Sequence, residues 1–187
     1  MRRLVTTVPL LCLLVAAPAS AAPSPAAEPS FRAPGSGIDA WAIVGYGDGA
    51  GLGIAYHTPL VPEGFLRHGS GSVLRDSLDL DLGLDWVSYW GYRVNGYDYG
   101  WAQFDLHADV RWDLWLTPQF ALYPKAGLGF GVGWYTGTWN SAYGDRRTIG
   151  GLYPEIAAGV AWRMRRDLTL RAEVGYVGLK LGLGFEF

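Results

Sequence analysis

The stretch that decides the fold is "VGLKLGLGFEF", residues 177–187, where large apolar side chains alternate strictly with charged residues and glycines. The apolar positions are Leu179, Leu181, Leu183, Phe185 and Phe187. Successive side chains of a β-strand point to opposite faces, so this strand presents one apolar face. The other face carries Lys180, Gly182, Gly184 and Glu186. The apolar face meets either a protein core or lipid, and the choice decides what the protein does.

The first 37 residues divide into two segments that lie outside the predicted fold. Residues 1–22 carry Arg2 and Arg3, then an apolar run from Leu4 to Ala17, then small residues, which is the pattern of a secretory signal peptide. The run is too short to remain as a membrane span. Residues 23–37 are rich in Pro, Ala and Ser and predict a flexible leader. One folded domain is therefore expected over residues 38–187.

Composition narrows the function classes. The formal net charge is −2 and no basic cluster occurs, which disfavours nucleic-acid binding. The single cysteine, Cys12, lies in the signal segment, so the mature chain has no thiol and suits an oxidising compartment. The 27 glycines, nine tryptophans and eleven tyrosines are typical of β structure with close backbone approaches and interfacial aromatics.

Period-two alternation dominates the rest of the chain and predicts strands, not helices. Eight strands are expected near residues 39–46, 51–60, 77–90, 102–116, 119–135, 151–164, 168–176 and 179–187. The third, "SLDLDLGLDW" at residues 77–86, alternates leucines with aspartates and a glycine. Only the first strand, "DAWAIVGY", is ambiguous, because it is apolar on both faces.

The composition of the polar face separates a soluble barrel from a membrane barrel. Solvated strands usually carry Lys, Glu, Thr and Ser, whereas these strands carry Asp, Gly and Arg, with Lys at two positions. Glycines at every second position relieve crowding inside a narrow barrel. The tight turns "TPQ" (117–119) and "RRD" (165–167) also alternate with the long aromatic loops at 91–100 and 137–151. Short turns on one side and long loops on the other are typical of outer-membrane barrels.

On these features the chain resembles the small eight-stranded outer-membrane barrels of the OmpA/OmpX type, over nearly all of residues 38–187. The resemblance implies an all-β, antiparallel up-and-down transmembrane β-barrel in the bacterial outer membrane, in contact with lipid and lipopolysaccharide. It also implies that the outer-membrane insertion machinery reads the final strand through Leu179, Leu181, Leu183, Phe185 and Phe187. The segment "VPEGFLRHGSGSVLRD", residues 61–76, departs from the family pattern, which has a tight turn at this place.

In a membrane barrel the polar face becomes the interior, and its charges predict an internal network. Its members are Asp79, Asp81, Asp85, Asp105, Asp109, Arg111, Asp113, Lys125, Glu155, Arg163, Arg171, Glu173, Lys180 and Glu186. Acids outnumber fixed cations in this set, which predicts shared protons, ordered water or protonated His57 or His107, or else a wrong phase in one strand.

Two short motifs resemble binding sites for calcium and for a dinucleotide, but neither has the structural context that such a site needs. "DLDLGLD" at residues 79–85 resembles a calcium loop, but alternate residues of an extended strand lie about 6.6–6.8 Å apart and cannot wrap one cation. "GYGDGA" at residues 45–50 matches a dinucleotide pattern without the helix that a phosphate site needs. The histidines form no metal-binding pair. No metal, no cofactor and no catalytic residue are predicted.

The leading functional hypothesis is a non-enzymatic barrel with a side-chain-filled interior and a structural or surface-recognition role. Strands three to six exceed the 9 to 11 residues needed to cross a membrane, while the first two and last two do not. A raised sheet would then present an edge for strand addition by an extracellular partner. The aromatic residues expected at its rim are Trp90, Tyr92, Tyr97, Tyr99, Trp101, Tyr135, Trp139 and Tyr143.

Two alternatives remain open at this stage. One is an enzyme that modifies lipid A, which needs His and Ser or a similar group at the outer leaflet; Ser88 and Ser141 are the serines near the expected rim. The other is a narrow channel for small solutes along the acidic interior. In either case the barrel is expected to be a monomer.

Overall fold

The computed structural model describes residues 34–66, 74–90, 93–94, 97–98, 100–136 and 148–187. This part of the chain forms ten β-strands: β1 Gly37–Gly45, β2 Gly49–Val61, β3 Arg75–Tyr89, β4 Arg93–Val94, β5 Tyr97–Asp98, β6 Gly100–Trp115, β7 Phe120–Thr136, β8 Thr148–Arg163, β9 Leu168–Gly175 and β10 Gly178–Glu186. Among the same residues, no helix has the length and apolar character to span a membrane.

Eight of these strands close into a barrel in the order β1, β10, β9, β8, β7, β6, β3, β2, and each is antiparallel to its neighbours. Closure comes from pairing of β1 with β10, from Gly37 opposite Glu186 to Gly45 opposite Gly178. β4 and β5 pair separately as a two-stranded sheet. The predicted eight-stranded, up-and-down antiparallel barrel is confirmed.

The two ends of the barrel differ in their connections. We call the end that holds Gly37, Glu186 and the turns at 116–119 and 164–167 the inner end. The opposite end, with the turns at 46–48 and 176–177, is the outer end. Both ends of the strand series therefore lie at the inner end, as an even strand count requires.

Strand lengths follow the expectation except at β2. The four strands β3, β6, β7 and β8 have 15 to 17 residues, whereas β1, β9 and β10 have eight or nine. β2 was expected to be no longer than a membrane crossing, and this is wrong, because it has 13 residues. It continues past Pro59 through an irregularity in register between Pro59 and Val61. Such a bulge lets a strand absorb a proline and keep its pairing.

Burial alternates along the strands, with polar residues inside and apolar residues outside. β1, which is ambiguous in sequence, turns Asp39, Trp41 and Ile43 inward and Ala40, Ala42 and Val44 outward. The outer surface of the barrel is apolar, and Leu181, midway along β10, is 54% exposed. Lipid is the environment that such a surface requires, since soluble monomers rarely expose large continuous apolar patches.

The barrel interior is layered. Near the outer end, Trp41, Ile43, Val87 and Val177 form one apolar cluster, against which Tyr89 packs. Near the inner end, Trp115, Ala121, Tyr123 and Ala161 form another. Most of the buried charged side chains belong to strand segments between these two clusters. The clusters therefore help to shield the charged layer from water at both ends.

Interior glycines lie beside the large side chains of neighbouring strands. Gly83 pairs with His107 and Gly129 pairs with Tyr153. A Cβ added to Gly129 would lie 2.5 Å from Cε2 of the Tyr153 ring. Because Gly129 has no side chain, the Tyr153 ring can lie against its backbone. The same need for space explains why glycine recurs on the polar face of β7.

Candidate functional site

Arg111 on β6 is the centre of the inner half of the charged interior. Its side chain is 1% exposed, and Nη1 donates to both carboxylate oxygens of Asp81 at 2.8 Å. Nε donates to Asp113 at 3.0 Å and Nη2 to Asp79 at 3.3 Å. Pairing places Asp79 opposite Arg111, and Asp113 follows two residues later on the same face. One guanidinium therefore pairs with carboxylates from two adjacent strands.

Two lysines connect the remaining strands. Lys180 on β10 places Nζ 2.5 Å from Asp85 and 3.8 Å from Glu173. Lys125 on β7 places Nζ 2.9 Å from Glu173 and 3.4 Å from Asp109. Since Asp85 lies on β3, the Lys180 contact joins strands that are not neighbours in the barrel. The network thus ties opposite walls together.

Each of the two buried histidines lies beside carboxylates. His107 places Nδ1 2.6 Å from Asp109 and Nε2 3.5 Å from Asp85. His57 places Nδ1 3.1 Å from Asp39. Both side chains lie in the barrel interior, away from the lipid-facing surface.

Asp39 is a network residue that the sequence analysis missed. Arg171 places Nε 3.1 Å from its Oδ1, and Arg111 places Nη1 3.9 Å from its Oδ2. The apolar inward residues Trp41 and Ile43 concealed the polar face of β1. The sequence could have shown that Asp39 faces the interior, because Asp39 and Trp41 are two residues apart and therefore lie on the same face of β1.

At the inner end, Arg163 and Glu186 complete the predicted set. Arg163 Nη2 lies 3.5 Å from Glu186 Oε1, and its guanidinium lies 4.4 Å from the centroid of the Trp115 ring. This pair joins the end of β8 to the end of β10.

The connection between β2 and β3 is held from outside the barrel. Asp76 has the parity of the lipid-facing residues of β3, yet its carboxylate is buried. It accepts hydrogen bonds from the backbone N–H groups of Phe65 and Leu66 at 2.9 and 3.0 Å and from Nε1 of Trp112 at 2.8 Å. Residues 67–73 lie outside the described part of the chain. The described portion of the segment 61–76 is thus a structured turn fixed by one carboxylate.

Two buried acids of the predicted network have no cationic partner among the described residues. Asp105 is 0% exposed; Gln103 donates to its Oδ1 at 2.6 Å, and its Oδ2 has no hydrogen-bond partner. Trp101 in turn donates to Gln103 at 3.0 Å. Glu155 is buried with neither carboxylate oxygen bonded. These two acids account for part of the excess of negative charge expected from the sequence.

A cleft of about 620 Å³ opens at the outer end, and its lining includes Gln103 and Gly131, which lie beside the buried Asp105. Its walls include four aromatic side chains: Tyr89, Trp101, Tyr153 and Tyr176. Tyr153 and Tyr176 stack with ring centroids 4.8 Å apart and an interplanar angle of 20°. Gln103 and the glycines of β7 form the side that faces Asp105.

The residues predicted as surface contacts divide between described and undescribed positions. Trp90 is exposed, Tyr135 is exposed, and Trp101 is half-buried with its ring edge-on to Tyr135 at 5.0 Å. Tyr92, Tyr99, Trp139 and Tyr143 lie outside the described residues, and for Tyr97 the structure describes only its place in β5.

The predicted insertion-signal residues all lie on the outer surface of β10 or just after it. Leu179, Leu181, Leu183, Phe185 and Phe187 are exposed. Among the described residues, no group of three or more His, Cys, Asp or Glu side chains is arranged to hold a metal ion.

A closed eight-stranded antiparallel barrel with an apolar exterior and a charged interior defines the fold class: the chain is an all-β, up-and-down barrel with the polarity of a small transmembrane β-barrel. No family model matches the chain. Outer membrane protein A of Klebsiella aerogenes is 29% identical over 110 residues, which are 57% of this chain and 29% of that protein. The chain thus matches less than a third of the length of this curated relative.

Solved structures with a similar fold include Ail, the attachment invasion locus protein of Yersinia pestis, in complex with the heparin analogue sucrose octasulfate. It is 13% identical with a TM-score of 0.48, and the alignment covers 81% of this chain and 95% of that one. The N-terminal β-barrel domain of Pseudomonas aeruginosa OprF is 18% identical with a TM-score of 0.43, covering 81% and 96% of the two chains.

Proposed function

We propose that this protein is a non-enzymatic barrel of the bacterial outer membrane that recognises an extracellular partner through a raised sheet edge. The proposal includes export by residues 1–22, contact with lipid and lipopolysaccharide, a monomeric barrel, and recognition of the lipid-facing residues of β10 by the insertion machinery. The apolar exterior supports the membrane location, because the strands of outer-membrane barrels turn apolar side chains to the lipid. The closed barrel supports it as well, because lipid excludes open sheet edges.

The observation that carries the recognition role is the unequal pairing of β8. β8 pairs with β7 from Thr148 to Trp162. It pairs with β9 only from Ala157, which lies opposite Gly175. Residues 148–156 therefore form a free edge on the β9 side within the described barrel. A free edge offers backbone donors and acceptors to an added strand.

Pro154 shows which backbone groups point to this edge. Proline has no N–H, so in a sheet it occupies positions whose N–H would face away from the ladder. Pro154 pairs with Leu128 of β7. Residues of the same parity, Gly150 and Leu152, accordingly direct their N–H groups to the free edge. A proline at 152 would remove one of these donors without disturbing β7.

The test uses the full barrel in lipid nanodiscs, panned against a display library of short random peptides. Strand addition predicts enrichment of extended peptides that bind the wild type and lose at least about tenfold in affinity for Leu152→Pro. Leu152→Ala is the matched control, since it removes the exposed side chain and keeps the N–H, and it should bind like the wild type.

Two outcomes would contradict the edge as the recognition surface. One is a selected peptide that binds Leu152→Pro and the wild type equally. The other is an exhaustive selection that enriches no extended peptide.

The geometry does not favour the enzyme alternative. His57 and His107 are buried in the interior and bonded to carboxylates, whereas lipid A lies outside the wall. Ser88 has the parity of the outward-facing residues of β3, and Ser141 lies outside the described residues. Lipid A mass spectra that are unchanged by expression of the protein are the expected result.

A further inference from the structure

We propose that the cleft at the outer end is a binding site for a small organic ammonium ion. The cleft is also lined by residues 149–152 of β8, but this inference rests on the aromatic walls and on Asp105, so it stands or fails separately from strand addition.

The walls have the chemistry that recognises alkylated ammonium groups. Tyr89, Trp101, Tyr153 and Tyr176 border a space of about 620 Å³. The faces of aromatic rings carry negative potential and attract a cation, and the attraction is strongest where water is excluded. The stacked pair of Tyr153 and Tyr176 keeps two of these rings fixed. Rigid rings lose little conformational entropy when a ligand binds.

Behind the cleft, on the side of Gln103 and Gly131, lies an acidic side chain that has no ion pair among the described residues. Asp105 is completely buried, has no ion pair among the described residues, and leaves Oδ2 without a donor. A Cβ added to Gly131, which lines the cleft, would lie 2.6 Å from Asp105 Oδ1. The carboxylate thus lies directly behind a position without a side chain. A buried carboxylate without an ion pair is unfavourable, and a cation in the cleft would offset part of that cost.

The same features select against other ligands. A metal ion such as Ca²⁺ takes six to eight oxygen ligands, and the aromatic walls do not supply them. An anion would be repelled by the carboxylate of Asp105. An alkylammonium ion combines apolar surface for the walls with one positive charge for Asp105.

The site ends at the outer apolar cluster. Trp41, Ile43, Val87 and Val177 are all buried at this level of the barrel. A cation that enters the cleft therefore stops there and does not continue toward Arg111.

The experiment titrates the full barrel in phosphatidylglycerol nanodiscs with choline, followed by tryptophan fluorescence and calorimetry. The neutral isostere 3,3-dimethyl-1-butanol is the ligand control, because it has the shape of choline without the charge. We expect saturable choline binding and at least about tenfold weaker binding of the isostere. Absence of choline binding, or equal affinity for both compounds, would overturn the proposal.

Variants then test the walls and Asp105 separately. Asp105→Asn and Tyr153→Leu should each weaken choline binding about tenfold, whereas Tyr153→Phe should keep most of it because the ring remains. Asp79→Asn, a buried acid beside Arg111 near the inner end, is the matched control and should leave choline affinity unchanged. Wild-type affinity in both Asp105→Asn and Tyr153→Leu would refute the site. If Asp105→Asn does not fold, the contrast between Tyr153→Leu and Tyr153→Phe decides.

A final comparison identifies the source of the ammonium group. Repeating the titration in phosphatidylethanolamine nanodiscs should weaken apparent choline binding if a lipid headgroup occupies the cleft. Unchanged affinity identifies a dissolved ammonium ion as the ligand. Either result presupposes the saturable binding described above.

Discussion

Arg111 is the residue whose loss should harm the barrel most, because its guanidinium pairs with Asp79, Asp81 and Asp113. Replacing it with methionine keeps much of the volume and leaves buried carboxylates without a cation. The expected loss in free energy of unfolding is about 3–5 kcal/mol. Urea unfolding of the barrel in vesicles, followed by tryptophan fluorescence, measures it.

Arg166→Gln is the control for the Arg111 variant. Arg166 is exposed in the turn after β8, so its replacement should change the free energy of unfolding by no more than about 0.5 kcal/mol. Equal unfolding midpoints for Arg111→Met and Arg166→Gln would mean that the interior network does not stabilise the fold.

Asp76 should control the order of the turn after β2. Asp76→Ala leaves three donors without their acceptor, namely the N–H groups of Phe65 and Leu66 and the indole of Trp112. We expect local destabilisation of about 1–3 kcal/mol. Limited chymotrypsin digestion should then cut after Phe65 or Leu66 several times faster than in the wild type. Glu63→Ala, at an exposed position in the same turn, should be digested at the wild-type rate.

For single residues, the sequence predicts which face of the strand a side chain lies on better than it predicts which side chains form ion pairs. Parity alone placed Asp79, Asp109 and Arg111 inside, because side-chain direction in a strand is fixed by position. Partners depend on which side chains reach across the barrel, as Arg111 on β6 reaches Asp39 on β1. That reach depends on closure and on register, which no local pattern contains. For the same reason, only the three-dimensional structure shows that Asp105 and Glu155 form no ion pair with another described residue.

Among the strands, the glycines of β7 give a testable rule: a glycine beside a ring is required, and a glycine beside open space is not. Gly129→Ala forces the Tyr153 ring to move and should cost about 1–3 kcal/mol of stability. Gly151→Ala, on the adjacent strand, meets nothing within 4 Å and should change stability by no more than about 0.5 kcal/mol. Urea unfolding in vesicles compares the two variants. A larger loss for Gly151→Ala would contradict the rule.

On the lipid-facing surface, the cost of introducing a charge should be largest near the bilayer centre and small near its surface. Leu181 lies midway along β10 and is exposed, so Leu181→Arg places a charge near the bilayer centre at a cost of about 2–4 kcal/mol. Val44→Arg, near the outer end of β1, should cost about 0–1 kcal/mol. Refolding yields in vesicles, monitored by heat-modifiable gel migration, report the difference. Identical costs would argue against a bilayer around these strands.

The faces of strands with regular apolar–polar alternation were predictable, whereas the exact ends of the strands were not. The alternation in β3, β6 and β7 fixed their faces without reference to tertiary structure. β2 was expected at residues 51–60 but runs from Gly49 to Val61, two residues longer at its start and one at its end, where pairing continues through the irregularity after Pro59. The turn at 62–66 depends on Asp76, whose distance in sequence conceals the contact. Gly64 adopts φ of 64° there, a conformation that favours glycine.

For the molecule as a whole, the layered interior predicts a closed barrel without ion conduction. Arg111, Tyr123 and Lys180 are among the largest fully buried side chains, and an apolar cluster lies toward each end. Planar-bilayer recordings of the purified protein should therefore show no discrete conductance steps. Reproducible steps under nondenaturing conditions would favour the channel alternative instead.

The pairing of β1 with β10 has a consequence for assembly. In the native register Asp39 lies opposite Gly184, and Arg171 of β9 reaches it. A slip of two residues would keep every side chain on its correct face, so hydrophobicity alone would not oppose it. In one direction, however, that slip sets Asp39 directly opposite Glu186, and two carboxylates would meet in a space with little water. Charge therefore opposes one of the two face-preserving slips at this seam, so the interior charges help to select the register in which the barrel closes.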